Sequence, residues 1–253
     1  MLENPVPPEG LARGEISGAQ QRFALQFVRA LMTDSVWLEA QVIEASDLYV
    51  RYWAKHIQPI ISKDQSRPDR NWDWLTIFGK TSVVTRLASF LGQRQKTYCI
   101  IARDLKGISF PIGLLHLVQG YRWVLDHNDK STFLWYLAAA PRSVIDERFA
   151  IRPRMMAAFI DIGLVVSMND GNEGRVFLHA DPAGGSKLEA SYVRGGMVRA
   201  NAKAKLSSAR KVLARHNERK TGVADVYFYV DEPRARSLLN LSDPFRSYSS
   251  GGR

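Results

Sequence analysis

Hydrophobic positions along the chain recur with two different spacings, and the change falls near residue 93. In the first part, apolar residues at helical spacing predict one helix from Gly18 to about Leu31 and a second from Ser35 to about Ile57. Pro59 and the polar run "KDQSRPDRN" then break the pattern, because proline and turn-forming residues end helices. A further helix is expected from about Thr81 to Leu91.

Beyond residue 93 the apolar runs are shorter, richer in β-branched and aromatic residues, and bounded by turn residues, which is typical of strands. The predicted strands are "TYCIIAR", "FPIGLLHLVQ", "STFLWYLAAA", "RVFLHA" and "DVYFYV". Helical patterns lie between the later ones, in "RPRMMAAFIDIGLVVSM", "GSKLEASYVR" and "NAKAKLSSARKVLARHN". This alternation predicts an α/β (α+β) protein whose central mixed sheet is flanked by helices.

The same patterns divide the chain into four parts. We expect a flexible arm over residues 1–17, a helical N-terminal region over 18–92, the strand-bearing domain over 93–246 and a disordered tail over 247–253. No apolar run approaches the ~18 residues of a membrane span, and the N-terminus lacks the pattern of a signal peptide. The only cysteine, Cys99, excludes an internal disulfide and predicts a buried structural thiol. A cytoplasmic protein that does not bind membranes is therefore expected.

Positive charge is concentrated in one segment of the chain. The net charge is +10, and residues 194–220 contain nine Lys or Arg and a single acid, Glu218. Such a segment favours an acidic partner, either RNA or another phosphate-bearing molecule, and an acceptor or nucleic-acid surface is predicted at Lys203, Lys205, Arg210 and Lys211. The alternative is an ordinary solvated helix with apolar residues such as Leu206 and Leu213 on its buried side.

Several familiar catalytic motifs are excluded by the sequence. "FGKTS" carries a Gly-Lys-Thr, but Trp74 stands where the phosphate-binding loop of nucleotide triphosphatases requires glycine. The sequence has neither a His/Asp/Glu spacing that suggests zinc nor a Gly-x-Ser-x-Gly elbow, so no metal is expected.

Four stretches in linear order resemble one known family. "FLWYLAAAP" is similar to its fourth strand, "MMAAFIDIGLVVS" to the following helix and "GRVFLHAD" to its fifth strand. "YVRGGM" resembles a Tyr-x-x-x-Gly-Phe ending, with Tyr192, Gly196 and Met197 in register. Together these stretches resemble the GNAT N-acetyltransferase superfamily, over about residues 96–230 and within the 93–246 domain.

This resemblance implies a fold and an activity. The fourth and fifth strands run parallel and splay apart, and acetyl-CoA binds in the gap as co-substrate. The acetyl group passes to an amine by direct attack, without a metal or a covalent enzyme intermediate. By the resemblance, the backbone of Leu137, Ala138 and Ala139 pairs with the pantetheine amides. The pyrophosphate lies at the start of the next helix, at Arg152, Arg154, Met155, Met156 and Ala157.

The resemblance also assigns catalytic roles. Tyr192 is the general acid for the leaving thiolate, and a packed core tyrosine is its alternative. The general base stays open between His116 and His179, and His179 in the fifth strand is the candidate chosen. A lone histidine in an apolar strand is more often a core residue, and in this family a water chain can replace a dedicated base. Asp181 before Pro182 is expected to be a turn residue.

The phosphate loop departs from the family pattern. Arg154 and Met156 stand where glycines are usual, Pro153 removes an N–H, and Gly185 falls near the usual helix-start Asn. Either Arg152 and Arg154 bind phosphate through their side chains, or the chain is a non-enzymatic module that binds RNA or an acidic partner through its basic 194–220 surface. The sequence leaves open the amine acceptor and the oligomeric state, a homodimer included.

Overall fold

The computed structural model describes residues 25–27, 40–79, 92–126, 128–149, 153–200, 226–242 and 246–248. The predicted arm, the predicted helix over 81–91 and most of the basic segment lie outside these ranges. The predicted disordered tail over 247–253 is wrong at residues 247–248, which belong to a strand, and lies outside these ranges beyond them. Within the ranges, nine strands form one sheet in the order β7-β8-β6-β5-β4-β3-β2-β1-β9. The strands are β1 (Leu25–Phe27), β2 (Ala40–Glu44), β3 (Arg94–Arg103), β4 (Ser109–Arg122), β5 (Lys130–Ala139), β6 (Val176–Ala180), β7 (Val198–Arg199), β8 (Val226–Val230) and β9 (Arg246–Tyr248).

The sheet is mixed, as predicted, because one neighbouring pair is parallel. β5 and β6 pair in parallel, while the other neighbouring strands described, from β1–β9 to β7–β8, are antiparallel. The parallel pair is joined by a crossover that contains a long helix, which is the usual way to connect parallel strands. The predicted α/β class and its central mixed sheet are therefore confirmed.

Helices cover both faces of the sheet. One face carries helix α4, since the Cβ that Gly163 lacks would lie 2.7 Å from Leu134 on β5. The other face carries the segment around Trp72, whose ring packs on Tyr136 of the same strand. The helices are α1 (Asp47–Tyr52), α2 (Gln58–Lys63), α3 (Arg142–Arg148), α4 (Met155–Asn169), α5 (Gly185–Arg194) and α6 (Glu232–Ser242), with a π-helical turn at Trp53–Ile57 and a 3₁₀ turn at Pro68–Asn71 between α1 and β3.

Two predicted helices are wrong where strands replace them. Residues 25–27 form β1, within the first predicted helix, and β2 occupies residues 40–44 of the predicted helix over Ser35–Ile57. β2 pairs along its whole length with β3, so tertiary pairing overrides the helical spacing of its neighbours. Helix begins only at Asp47, after Ser46 at the N-cap.

The later predictions agree with the structure. Each of the five predicted strands overlaps an observed strand, from β3 to β6 and at β8. The two predicted helices before residue 195 correspond to α4 and α5. Cys99 is fully buried in β3, as predicted for a structural thiol, and burial raises the pKa of this thiol above its usual range.

Candidate functional site

The parallel strands β5 and β6 separate partway along their length. Their register runs from Thr132 with Val176 to Leu134 with Leu178 and then stops. β5 nevertheless continues to Ala139 and remains paired with β4. An open gap therefore forms beside the C-terminal half of β5, as the resemblance implies.

A β-bulge lies where the gap begins. Tyr136 pairs with His116 and Leu134 pairs with Leu117, so Trp135 is an extra residue on β5. The bulge brings Trp135 and Tyr136 onto one side, where their rings stack with an interplanar angle of 8°. A bulge redirects side chains and bends the strand, which favours divergence from β6.

Backbone groups of β5 alternate between β4 and the gap. The Ala140 N–H donates to Ile112 O on β4 at 2.9 Å, so the groups of Leu137 and Ala139 point the opposite way, into the gap. Ala138 faces β4 with Leu114 as its register partner. Of the three backbone positions predicted to hold pantetheine, Leu137 and Ala139 thus have the required direction, although Ala139 O already accepts a hydrogen bond from Arg67 Nη2.

Tyr192 lies on α5 beside the start of the gap. It is 5% exposed, and its ring centroid is 5.2 Å from that of Phe228. Phe228 is the register partner of Leu178, the last residue of β6 that pairs with β5. Burial is the main cause that raises the pKa of Tyr192 above its usual range, and the carboxylates of Asp181 and Asp69 add to it. The phenol therefore remains protonated at neutral pH.

Two glycines explain the turn after Tyr192. Gly196 has φ +95°, which favours glycine, and its missing Cβ would lie 2.7 Å from Leu238. The Cβ that Gly195 lacks would lie 2.4 Å from Ile160. The Met197 N–H donates to Tyr192 O at 3.1 Å, closing the helix end. The sequence "YVRGGM" is thus a compact helix ending that holds Tyr192 against the sheet.

His179 occupies the first position of β6 beyond the parallel pairing. Its ring lies 5.1 Å from that of Tyr227, on the face opposite to Leu178. Asp181 follows at the end of the strand and accepts from the Ala183 N–H at 2.8 Å, as expected of a turn residue. His179 and Tyr192 thus lie at the same end of β6 but on opposite faces of the sheet, and their catalytic roles remain predictions.

His116 is a core residue, in agreement with the interpretation from sequence. It is 2% exposed, and its Nδ1 lies 2.9 Å from the hydroxyl of Thr97. Burial lowers the pKa of His116 to about 4, so the imidazole is neutral at physiological pH.

A cavity of about 490 Å³ opens at the start of α4. Residues 154–157, which were predicted to hold the pyrophosphate, line it together with the end of α5 and part of α6. Arg194 adds a second guanidinium, and Asp161 on α4 is buried at its wall. Arg154 is the N-cap of α4 and makes no side-chain cap hydrogen bond there, so its side chain does not cap the N–H groups of the first turn. This arrangement suits an anionic group.

The opposite side of the gap is formed by residues 67–74, which the sequence treated only as a break. Arg67 Nη2 donates to Ala139 O at 2.7 Å and to Asp69 Oδ2 at 2.6 Å. Trp72 packs edge-on against Tyr136 with ring centroids 4.9 Å apart. No local sequence signal predicts these contacts, because Arg67 and Ala139 are 72 positions apart.

Some predicted residues fall outside the described ranges, namely Arg152, Lys203, Lys205, Arg210 and Lys211. Within the described ranges, no cluster of three or more His, Cys, Asp or Glu could hold a metal ion. The same part of the chain contains no helix long and apolar enough to cross a membrane.

Comparison with known proteins gives similarity in structure but not in sequence. No family model matches the sequence, and no curated protein sequence matches it. Spermidine N-acetyltransferase from Vibrio cholerae, solved with CoA and spermine, is 10% identical with a TM-score of 0.43, covering 78% of this chain and 98% of that one. A mutant of the AtaT toxin bound to the C-terminus of the antitoxin AtaR is 13% identical with a TM-score of 0.38, covering 80% and 97%.

A third similar structure is a mutant of KacT, at 12% identity and a TM-score of 0.37, covering 79% of this chain and 98% of that one. One of these three structures is an N-acetyltransferase, the class of protein that the sequence resembles. At these TM-scores the likeness has no bearing on substrate or mechanism, which must be argued from the residues of this chain.

Proposed function

We propose that this chain is an acyl-CoA-dependent N-acyltransferase that transfers acetyl from acetyl-CoA to an amine by direct attack. The observation that carries the proposal is the gap between β5 and β6. It has backbone groups of Leu137 and Ala139 on one edge and a buried tyrosine, Tyr192, at its inner end.

The residues around the gap fit acetyl-CoA. The outward backbone groups of β5 offer the pairing that an extended amide chain requires. The cavity at the start of α4 offers helix N–H groups and the guanidinium of Arg154 or Arg194 to a pyrophosphate. When bound, acetyl-CoA supplies the acetyl group as an activated thioester.

Tyr192 holds a proton where a thiolate would depart. A phenol is protonated throughout the physiological range, and here it can donate a hydrogen bond to the sulfur as negative charge develops. His179, at the end of β6, is the candidate group to accept the proton of the amine.

The first experiment compares Tyr192→Phe with Tyr98→Phe. Both tyrosines are buried, and the Tyr98 hydroxyl has no hydrogen-bond partner among the described residues, so its removal is a matched control for losing a buried hydroxyl. We expect Tyr192→Phe to lower kcat by ~10²–10⁴-fold with acetyl-CoA affinity preserved, and Tyr98→Phe to retain kcat. Equal rates in the two variants would remove Tyr192 from the mechanism.

The second experiment tests the phosphate subsite by calorimetry. Arg154→Ala, alone and with Arg152→Ala, should weaken acetyl-CoA more than a pantetheine fragment that lacks the nucleotide. Equal weakening of both ligands would assign the arginines a structural role. If wild type does not bind acetyl-CoA at all, the enzymatic proposal fails.

A binding module is the second candidate, and the concentration of charge in residues 194–220 favours it. Changing Lys203, Lys205, Arg210 and Lys211 to Gln should then flatten the salt dependence of RNA binding, since each phosphate contact contributes a log–log slope of about −0.7 to −0.9. An unchanged slope would indicate a solvated surface. If the segment binds the acceptor of the acyltransferase, the same four substitutions should instead raise the KM of a polyanionic acceptor.

A further inference from the structure

Arg67 is held rigidly at the outer end of the gap. Its Nε and Nη2 donate to the two carboxylate oxygens of Asp69 at 2.9 and 2.6 Å, and Nη2 also donates to Ala139 O. Only 20% of the Arg67 side chain and 5% of that of Asp69 are exposed. Gln58 on α2 fixes the turn from below by donating to Asp69 O at 2.9 Å. A guanidinium that is fixed in this way loses little conformational freedom on binding a ligand.

One side of the guanidinium remains available. Arg67 Nη1 forms no hydrogen bond within the part of the chain that the structure describes, whereas Nε and Nη2 are both engaged. An arginine that is clamped on one edge and open on the other presents two N–H donors to a carboxylate or another oxygen anion. Asp69 accepts hydrogen bonds from Nε and Nη2, so it fixes the orientation of the guanidinium without engaging the Nη1 donors.

Arg67 bonds to Ala139 O at the edge of β5 that faces the gap. α4 packs on the face of β5 that carries Leu134, while Trp72, five residues after Arg67, packs on Tyr136 of the other face. A ligand that contacts both Arg67 and the Trp72 ring therefore lies on the face of β5 opposite to α4 and its cavity of about 490 Å³. In the proposed function this is the side of the amine acceptor.

Partly exposed aromatic rings lie further along the same strand. Tyr136 and Trp72 are each neither buried nor fully exposed, so part of each ring surface can contact a ligand. Tyr136 is three residues from Ala139, which corresponds to roughly 10 Å along a strand. The hydrogen bond to Arg67 and the ring contact to Tyr136 each take up part of this separation, and an amino acid with a large side chain carries a carboxylate and a ring that can span the rest.

We infer that Arg67 binds the carboxylate of the acceptor, so that the acceptor is an α-amino acid with a large apolar side chain packed on Trp72 and Tyr136. The inference rests on the proposed function, because it assigns the acceptor of that reaction. Arg67 is then a specificity-determining residue: its two Nη1 donors hold the carboxylate, and the adjacent α-amine is directed toward the gap.

The first test uses wild type and three acceptors that differ at one group. Phenylalanine, phenylalaninamide and 2-phenylethylamine share the ring and the amine, and only phenylalanine carries a carboxylate. With rates expressed per concentration of unprotonated amine, we expect kcat/KM to favour phenylalanine by roughly 10- to 100-fold, as for a charge-assisted hydrogen-bonded pair. Equal kcat/KM for the three acceptors, or higher kcat/KM for the two that lack a carboxylate, would overturn the inference.

The second test uses Arg67→Lys, with Arg70→Met as the matched control. Arg70 belongs to the same 3₁₀ turn but contacts Gln65 instead of β5. The ratio of kcat/KM for phenylalanine to that for 2-phenylethylamine should fall toward one in Arg67→Lys, mainly through KM for phenylalanine, and should persist in Arg70→Met. An equal loss with both acceptors would show that Arg67 only supports the strand, and would overturn the assignment.

Binding without turnover separates this inference from the proposed function. Calorimetry with phenylalanine should show binding to wild type that Arg67→Lys weakens roughly 10-fold or more. If that binding is found while acetyl-CoA does not bind, the enzymatic proposal fails and the amino-acid site stands. If acetyl transfer to other amines is found while phenylalanine does not bind, the site assignment fails and the enzyme stands.

Discussion

The buried histidine on β4 predicts a measurable loss of stability in mild acid. His116 is 2% exposed and neutral in the folded protein, where burial lowers its pKa to about 4. In the unfolded chain its pKa returns to the ordinary value near 6.5. The folded pKa is the lower one, so the stabilisation is fully present above pH 6.5 and is lost as the pH falls toward 4.

The magnitude follows from the difference between the two pKa values. Between pH 7 and pH 4.5 the unfolded state takes up nearly one proton that the folded state does not, which costs about 2.5 kcal/mol of unfolding free energy. Where it depends most steeply on pH, the unfolding free energy changes by about 1.4 kcal/mol per pH unit. This is a large share of the stability of an ordinary domain, which is ~5–15 kcal/mol.

Urea unfolding followed by tryptophan fluorescence can isolate this contribution. The double variant His116→Leu with Thr97→Val removes both members of the 2.9 Å polar contact, so neither is left unpaired. The carboxylates and other histidines are the same in both proteins, so only the wild type should lose the extra 2.5 kcal/mol or so between pH 7 and pH 4.5. The reasoning would be refuted if the unfolding free energies of wild type and double variant changed in parallel with pH, or if an NMR titration gave native His116 a pKa near 6.5.

Three further outcomes follow from the packing and from the buried ionisable groups. Gly163→Ala should cost about 1–3 kcal/mol of unfolding free energy, because its new methyl would lie 2.7 Å from Leu134, whereas Gly79→Ala meets no atom within 4 Å and serves as the control. Gly196→Ala should lower the unfolding midpoint and disturb Tyr192, since its φ is +95°. The pKa of Tyr49 is raised to about 12 and that of Cys99 is also raised, so urea midpoints should be constant from about pH 7 to about pH 9 and fall above it.

The sequence predicted the elements whose pattern is local and missed those fixed by distant contacts. The long apolar strands β3, β4 and β5 and the helix α4 stand out because each carries its own period and boundaries. β2 was missed because its five residues lie inside a helical pattern. They form a strand through pairing with β3, which the local sequence does not encode.

The site shows the same division between local and distant information. The resemblance identified the gap and the helix ending that holds Tyr192, since both are encoded in contiguous stretches. It did not identify Arg67, which the chain brings to Ala139 only through the packing of residues 58–74 on the sheet. Contacts between segments 72 positions apart leave no pattern in a single sequence.

The arrangement of the gap also predicts the order of the reaction. A covalent acyl-enzyme needs an accessible nucleophile, and the most reactive type, a thiol, occurs once in the chain, at Cys99. Cys99 is fully buried in β3, and burial raises the pKa of this thiol, so it is neither accessible nor ionised at neutral pH. In the proposed function, the cavity at α4 would hold the phosphates of acetyl-CoA and the rings of Trp72 and Tyr136 would contact the acceptor. These lie on opposite faces of β5, so both substrates could be bound at once. Double-reciprocal plots of initial rate at several fixed acceptor concentrations should therefore intersect, and Cys99→Ala should retain turnover. Parallel lines, or acetyl label that stays on the protein after acetyl-CoA alone is added, would contradict direct transfer.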